Sequence, residues 1–219
     1  MPGIVDIQRA GATVDRARVL CILVHGRNQS PEAMEAAVQR HLTTPDVAFA
    51  LPRAGDKCWY RALAVDPLAE ETKAELGASL ADLAALVRSL RDQAPGKPVL
   101  LAGFSQGACL SLEHAFTGAD APDAVVALTG CRVGVASDDR PARLRHGMPV
   151  YLSAGRDDPW IPLPAFAKAA VELGQGGAAL RMDVFPDRPH EVSAPEIAML
   201  DSVLADLAAR RAPGFGATR

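Results

Sequence analysis

The sequence predicts a doubly wound α/β fold, a mostly parallel sheet with helices on both faces. Three observations predict it. Short apolar runs of buried-strand type alternate along the chain with segments whose apolar residues recur every three to four positions. One such run, residues 99–102, leads directly into Gly103-Phe104-Ser105-Gln106-Gly107 and then into helix-forming residues from Ala108. Finally, 219 residues with 49% hydrophobic content suffice for one well-buried core and are short for two. Residues 1–210 are therefore expected to form a single domain, with 211–219 as a disordered tail.

The elements follow in order. Alternation over residues 4–7 suggests an edge strand, and the continuous apolar run to Val24 a more central one that ends at His25-Gly26. Ser30-Pro31 reads as an N-cap with proline at the first helical position, opening a helix to about His41. Residues 47–51 form the next strand. An irregular stretch over 52–65 holds Trp59-Tyr60, after which Asp66-Pro67 is expected to cap a long helix. That helix lays Leu76, Leu80, Leu83, Val87 and Leu90 along one stripe until Pro95-Gly96 stops it. Beyond the serine turn, strands are expected at 124–128, 149–153 and 179–185. A helix is expected at 163–173, and a last one carries Ile197, Leu200, Val203, Leu204 and Leu207 on one face.

Composition excludes several classes of partner. The net charge is −3 with both signs interspersed, so no basic stripe points to nucleic acid and no polybasic run to an anionic membrane. The N-terminus lacks the apolar core of a signal peptide, and the run at 19–24 is too short to span a bilayer, so integral membrane contact is not expected and a cytoplasmic protein is. Cys21, Cys58, Cys109 and Cys131 are scattered, with no C-x-x-C pair and no histidine at ligand spacing. They read as buried thiols rather than as a zinc site or disulfide framework.

The chemistry gathers at the expected carboxyl ends of the strands. In G-x-S-x-G the serine sits at a strained strand-to-helix turn, and glycines are needed two residues to either side, where a Cβ would strike a neighbouring strand or helix. An attacking serine needs a base and the base an orienting acid, which in this architecture follow in the order serine, acid, histidine. His25 and His41 precede Ser105, His114 lies too far along the helix that Ser105 opens, and His146 precedes a strand. His190 follows the strand ending at Phe185 and precedes a helix, which makes it the base. Asp157 and Asp158 both lie beyond the preceding strand. Pro159 pushes the residue before it out of helical conformation, which favours Asp158 as the acid and leaves Asp157 a solvated carboxylate or turn cap. The oxyanion of an acyl-transfer intermediate would meet the backbone N–H groups of Gln106 and of Arg27, whose side chain is expected to be incidental. Trp59, Tyr60, Phe104 and Trp160 lie in or beside the strand-end loops and are expected to wall the substrate pocket.

Together, Val24-His25-Gly26, Trp59-Tyr60, Gly103-Phe104-Ser105-Gln106-Gly107-Ala108, Gly155-x-x-Asp158-Pro159-x-x-Pro162 and His190-Glu191-Val192-Ser193 resemble the phospholipase/carboxylesterase family, α/β-hydrolases related to the acyl-protein thioesterases. The resemblance covers about residues 18–208. It implies an α/β-hydrolase fold and a triad of Ser105, Asp158 and His190. The segment 129–148 is too short for a cap domain. The expected activity is that of a serine carboxylesterase on short to medium acyl esters, with a small-molecule ester or thioester as substrate and no metal or organic cofactor. The alternatives are a lysophospholipase, an acyl-protein thioesterase, or a binding module on a hydrolase fold. A homodimer is compatible with all of these. Two positions depart from the family: Asn28 stands where a second glycine is usual, and Arg188-Pro189 replaces a small residue before the histidine. Arg188 is expected to narrow the entrance or supply positive charge there.

Overall fold

The computed structural model describes residues 3–215. Its strands are β1 (Ile4–Gly11), β2 (Val19–Val24), β3 (Val47–Ala54), β4 (Val99–Phe104), β5 (Ala124–Leu128), β6 (Pro149–Gly155) and β7 (Ala179–Phe185). They form one sheet in the order β1-β3-β2-β4-β5-β6-β7. Only the edge strand β1 runs antiparallel, against β3; every other pairing is parallel. The helices are α1 (Pro31–Ala37), α2 (Glu70–Gln93), α3 (Gln106–Thr117), α4 (Leu163–Gln175) and α5 (Ala194–Ala208).

Every residue of β2, β4 and β5 is buried. Their apolar runs are continuous rather than alternating because helices cover both faces of a parallel sheet. Along β2, Leu20, Ile22 and Val24 join the core beneath α2, α3 and α4, while Val19, Cys21 and Leu23 join the core beneath α1 and α5. All four cysteines are buried and free.

Several strands run past their expected ends, β1 to Gly11 and β3 to Ala54 among them, and two helix boundaries differ for a local reason. Helix α1 stops at Ala37, because Val38 leaves helical geometry (φ −129°) before a single 3₁₀ turn at Gln39–His41. Helix α2 begins at Glu70 rather than after Asp66, whose carboxylate turns back to accept the Leu63 N–H at 2.8 Å and so closes a loop instead of capping a helix.

Between β5 and β6 the chain makes no helix or strand, and no cap domain rises there. Buried Arg132 ties that segment down: it bonds Glu113 at 2.6 and 3.0 Å and Glu172 at 2.9 Å, and lies 3.7 Å from the Phe116 ring centroid. Of the tail expected to be disordered, residues 211–215 lack regular structure but fold back on α5. The Asp206 carboxylate accepts from the Arg211 side chain at 2.8 Å and from the Gly214 N–H at 3.0 Å. Residues 216–219 lie outside the described residues. Among the described residues no helix is long and apolar enough to cross a membrane.

Candidate active site

Strand β4 ends at Phe104 and α3 begins at Gln106, leaving Ser105 alone at the turn with φ 55° and ψ −118°. A residue with a Cβ adopts that conformation only where its surroundings enforce it. Here the Ser105 N–H donates to Leu128 O at the end of β5 (3.0 Å), and Ser105 O accepts the Cys109 N–H (3.0 Å). The flanking glycines let the turn close. A Cβ on Gly103 would lie 2.4 Å from Gly107 O, and one on Gly107 would lie 2.3 Å from Val24 O. No other residue type fits at either position.

The structure brings Ser105, His190 and Asp158 into one chain of hydrogen bonds. His190 Nε2 lies 2.9 Å from Ser105 Oγ, and His190 Nδ1 lies 2.7 Å from Asp158 Oδ2. A carboxylate only accepts, so Nδ1 carries the proton and Nε2 is free to receive one from the serine. The other Asp158 oxygen accepts the N–H groups of Trp160 and Ile161, each at 2.9 Å. Burial acts to raise the pKa of Asp158, but the His190 ring and the Ile161 and Trp160 N–H groups outweigh it and hold the carboxyl below its usual range. Asp157 points away: its side chain is exposed and pairs with Arg156 at 3.1 Å. His114 is buried within α3, and His146 is exposed beside Gly177, before β6. Neither reaches the serine.

Arg27 and Gln106 line the cavity in front of Ser105. Gln106 is the first residue of α3, so its N–H has no acceptor within the helix. Asn28 takes a left-handed conformation (φ 60°), one that asparagine tolerates, and its N–H donates to Lys57 O at 2.8 Å. The loop thus keeps a shape that glycine would adopt freely. Gly26 lets it pass close by, since a Cβ there would lie 3.3 Å from the Ser105 Cβ.

The cavity has a volume of about 230 Å³. Of the four aromatic residues expected to wall it, Tyr60 and Trp160 do; Trp59 and Phe104 do not. Trp59 is turned into the core, where its indole N–H donates to His25 O at 2.8 Å. Phe104 belongs to the core on the α5 side of the sheet and supports the His190 ring, with centroids 5.0 Å apart. The rest of the apolar wall comes from Leu63, Ala64, Cys109 and Ile161.

Three side chains hold the site in ways that sequence reasoning missed. Far from being incidental, the Arg27 guanidinium donates to the carbonyls of Arg61 (2.7 Å), Tyr60 (3.2 Å) and Ala62. The Gln106 amide accepts the Trp59 N–H at 3.0 Å and donates to Tyr60 O at 2.6 Å. Arg188 does not stand in the entrance: its side chain is buried beneath the histidine loop. His25 is also structural. Its Nε2 accepts the Ala54 N–H at 3.0 Å and its Nδ1–H donates to Gly26 O at 2.7 Å, while burial lowers its pKa and keeps it neutral. Among the described residues no three His, Cys, Asp or Glu side chains converge as metal ligands.

The family profile described as phospholipase/carboxylesterase matches residues 7–207. Among solved structures, a phospholipase/carboxylesterase from Dyadobacter fermentans superposes with a TM-score of 0.82 at 27% identity, covering 93% of this chain and 98% of that one. The esterase PE8 gives a TM-score of 0.75 at 21% identity, with 91% and 97% covered. Acyl-protein thioesterase 2 of Zea mays gives 0.71 at 15% identity, with 93% and 99% covered. The last two show likeness of fold alone. No curated protein matches.

Proposed function

We propose that this chain, which belongs to the phospholipase/carboxylesterase family of hydrolases, is a serine carboxylesterase acting on short to medium acyl esters through an acyl-enzyme. The observation that carries the reading is the unbroken relay from Ser105 Oγ through His190 to Asp158, at 2.9 and 2.7 Å.

In this reading Ser105 Oγ attacks the ester carbonyl as its proton passes to His190 Nε2. Asp158 stabilises the imidazolium that forms. The oxyanion is met by the N–H groups of Gln106 and Arg27, the former at the positive end of α3. Collapse of the intermediate expels the alcohol, which leaves with the proton from His190. Water then repeats the sequence to release the acid and restore Ser105.

The cavity in front of Ser105, about 230 Å³, is smaller than the roughly 300–1,000 Å³ usual for sites that enclose a drug-sized ligand. That capacity favours short to medium acyl groups. The second reading, a thioesterase or lysophospholipase for longer chains, draws on Trp160 and Leu63, which line the cavity yet are 59% and 46% exposed and would flank a chain leaving it.

The experiment is a matched panel of esters and thioesters from two to sixteen carbons, together with labelling by a fluorophosphonate. Turnover should peak toward the short end of the panel, and the probe should attach to Ser105. A peak at the longest chains would favour the second reading, and failure of the probe on active protein would overturn the serine mechanism.

A further inference from the structure

Beneath the loop that carries His190 lies a buried polar network that the reaction does not use directly. Arg188 is its hub. Its guanidinium donates to Pro189 O at 3.2 Å and to Glu191 O, the carbonyls on either side of His190. It donates in a third direction to Thr129 Oγ1 at 2.6 Å. Its Nε lies 3.8 Å from Oε2 of Glu196, which is fully buried. Glu196 Oε1 accepts from Ser153 Oγ at 2.5 Å, and Ser153 Oγ accepts the Thr129 N–H at 3.1 Å, so Thr129 and Ser153 link Arg188 to Glu196 by hydrogen bonds. Glu196 Oε2 also takes the Ser193 N–H at 2.7 Å and its hydroxyl at 2.6 Å, fixing the start of α5 just past the histidine.

The network touches all three loops of the relay. Thr129 follows Leu128, whose carbonyl holds the Ser105 N–H at 3.0 Å. On the acid's side, a Cβ at Gly155 would lie 2.9 Å from Arg188 O, so the histidine loop rests directly on the end of β6, three residues before Asp158. Arg188 therefore forms a strut between the backbone that holds the nucleophile and the backbone that holds the base. The network is nearly sealed from water: Arg188 is 9% exposed, and Thr129, Ser153 and Glu196 are 0% exposed. Hydrogen bonds to charged groups in such surroundings are short and directional. The loop they grip carries no helix or strand of its own.

We propose that Arg188 is a positioning residue, which sets the His190–Ser105 hydrogen bond by holding the carbonyls of Pro189 and Glu191, the residues on either side of His190, against Thr129 and Glu196. The inference rests on the serine-hydrolase reading, which labelling of wild-type Ser105 tests separately.

The test uses the whole chain and three variants. Arg188→Met removes every donor, Arg188→Lys keeps the charge and part of the bonding, and Thr129→Val removes one acceptor without leaving an unpaired charge. Misplacing a catalytic group by about 1 Å costs up to about a hundredfold, so Arg188→Met should lose roughly a hundredfold and Thr129→Val roughly tenfold in kcat on a small aryl ester. KM should stay within about twofold, since the cavity wall is intact. Arg188→Lys should recover part of the loss. The far-downfield proton resonance of the His190–Asp158 hydrogen bond should broaden or vanish in Arg188→Met and Thr129→Val, which separates misplacement of the base from a simple loss of folded protein. Loss of one partner from a buried ion pair destabilises strongly. If Arg188→Met does not fold, Thr129→Val decides. A kcat within about twofold of wild type with the resonance unchanged, in Thr129→Val or in folded Arg188→Met, overturns the inference.

Discussion

Asp158→Asn is the sharpest probe of the proposed mechanism, because the structure fixes which way the new amide must face. One carboxylate oxygen takes two backbone N–H groups, from Trp160 and Ile161 at 2.9 Å, and the other faces His190 Nδ1 at 2.7 Å. In the variant the amide oxygen stays with the two N–H donors. Turning it around would set NH₂ against both and forfeit two hydrogen bonds of about 1 kcal/mol each. The NH₂ group therefore faces His190 and selects the tautomer with the proton on Nε2, which cannot accept one from Ser105. A substitution of this kind in the well-studied serine protease triad costs about 10⁴ in kcat, equivalent to about 5.5 kcal/mol in the barrier. A similar loss is expected here, with folding preserved because the side chains are nearly isosteric. Asp157→Asn is the control. Its side chain is 72% exposed, and kcat should change by no more than a few-fold. Steady-state kinetics on a soluble aryl ester, with thermal melts of both variants, measure the difference. If Asp157→Asn is the crippled enzyme, or if Asp158→Asn stays within tenfold of wild type, the tautomer argument fails.

Gly107→Ala would place a Cβ 2.3 Å from Val24 O and 2.6 Å from His25 O, both backbone atoms. It should cost about 3 kcal/mol or more in chemical denaturation, and a loss under about 1 kcal/mol would show that the turn at Ser105 yields. Asp201 accepts Thr43 N (3.1 Å), Thr43 Oγ1 (2.5 Å) and Thr44 N (2.9 Å). Burial acts to raise its pKa, but the hydrogen bonds from Thr43 and Thr44 outweigh it and leave the pKa lowered. A depressed folded pKa gives stability that is complete above the ordinary value near ~4 and lost as pH falls through the folded value. The Tm gap between wild type and Asp201→Asn should therefore hold steady above about pH 5 and narrow toward about pH 2; a gap that widens in acid would contradict this. His146→Ala should leave kcat within about twofold, because an exposed side chain away from the relay contributes little. A large loss there would point to a different base.

The parts of the site legible in the sequence are those where chemistry or sterics dictates a residue type locally. The turn at Ser105 is one, because its backbone path forces glycine at 103 and 107 whatever lies elsewhere. The order of acid and histidine is another, because β4, β6 and β7 run parallel and deliver the loops that follow them to one edge of the sheet. Asp66 marks the limit of that kind of reading: before a proline, an aspartate that caps a helix and one that closes a loop look alike, and here it closes a loop. Arg27, Gln106 and Arg188 were misread or missed for a deeper reason. Each satisfies carbonyls of backbone that has no helix or strand to do so: Arg27 those of residues 60–62, Gln106 that of Tyr60, and Arg188 those on either side of His190. Buried backbone acceptors must be paired. A catalytic site assembled from irregular loops therefore needs long donor side chains close to its motifs, and the residues they serve can lie more than thirty positions away, as Arg61 does from Arg27. A charged or amide residue directly beside a nucleophile, an oxyanion loop or a base is thus better read as a strut for a neighbouring loop than as a group facing the substrate.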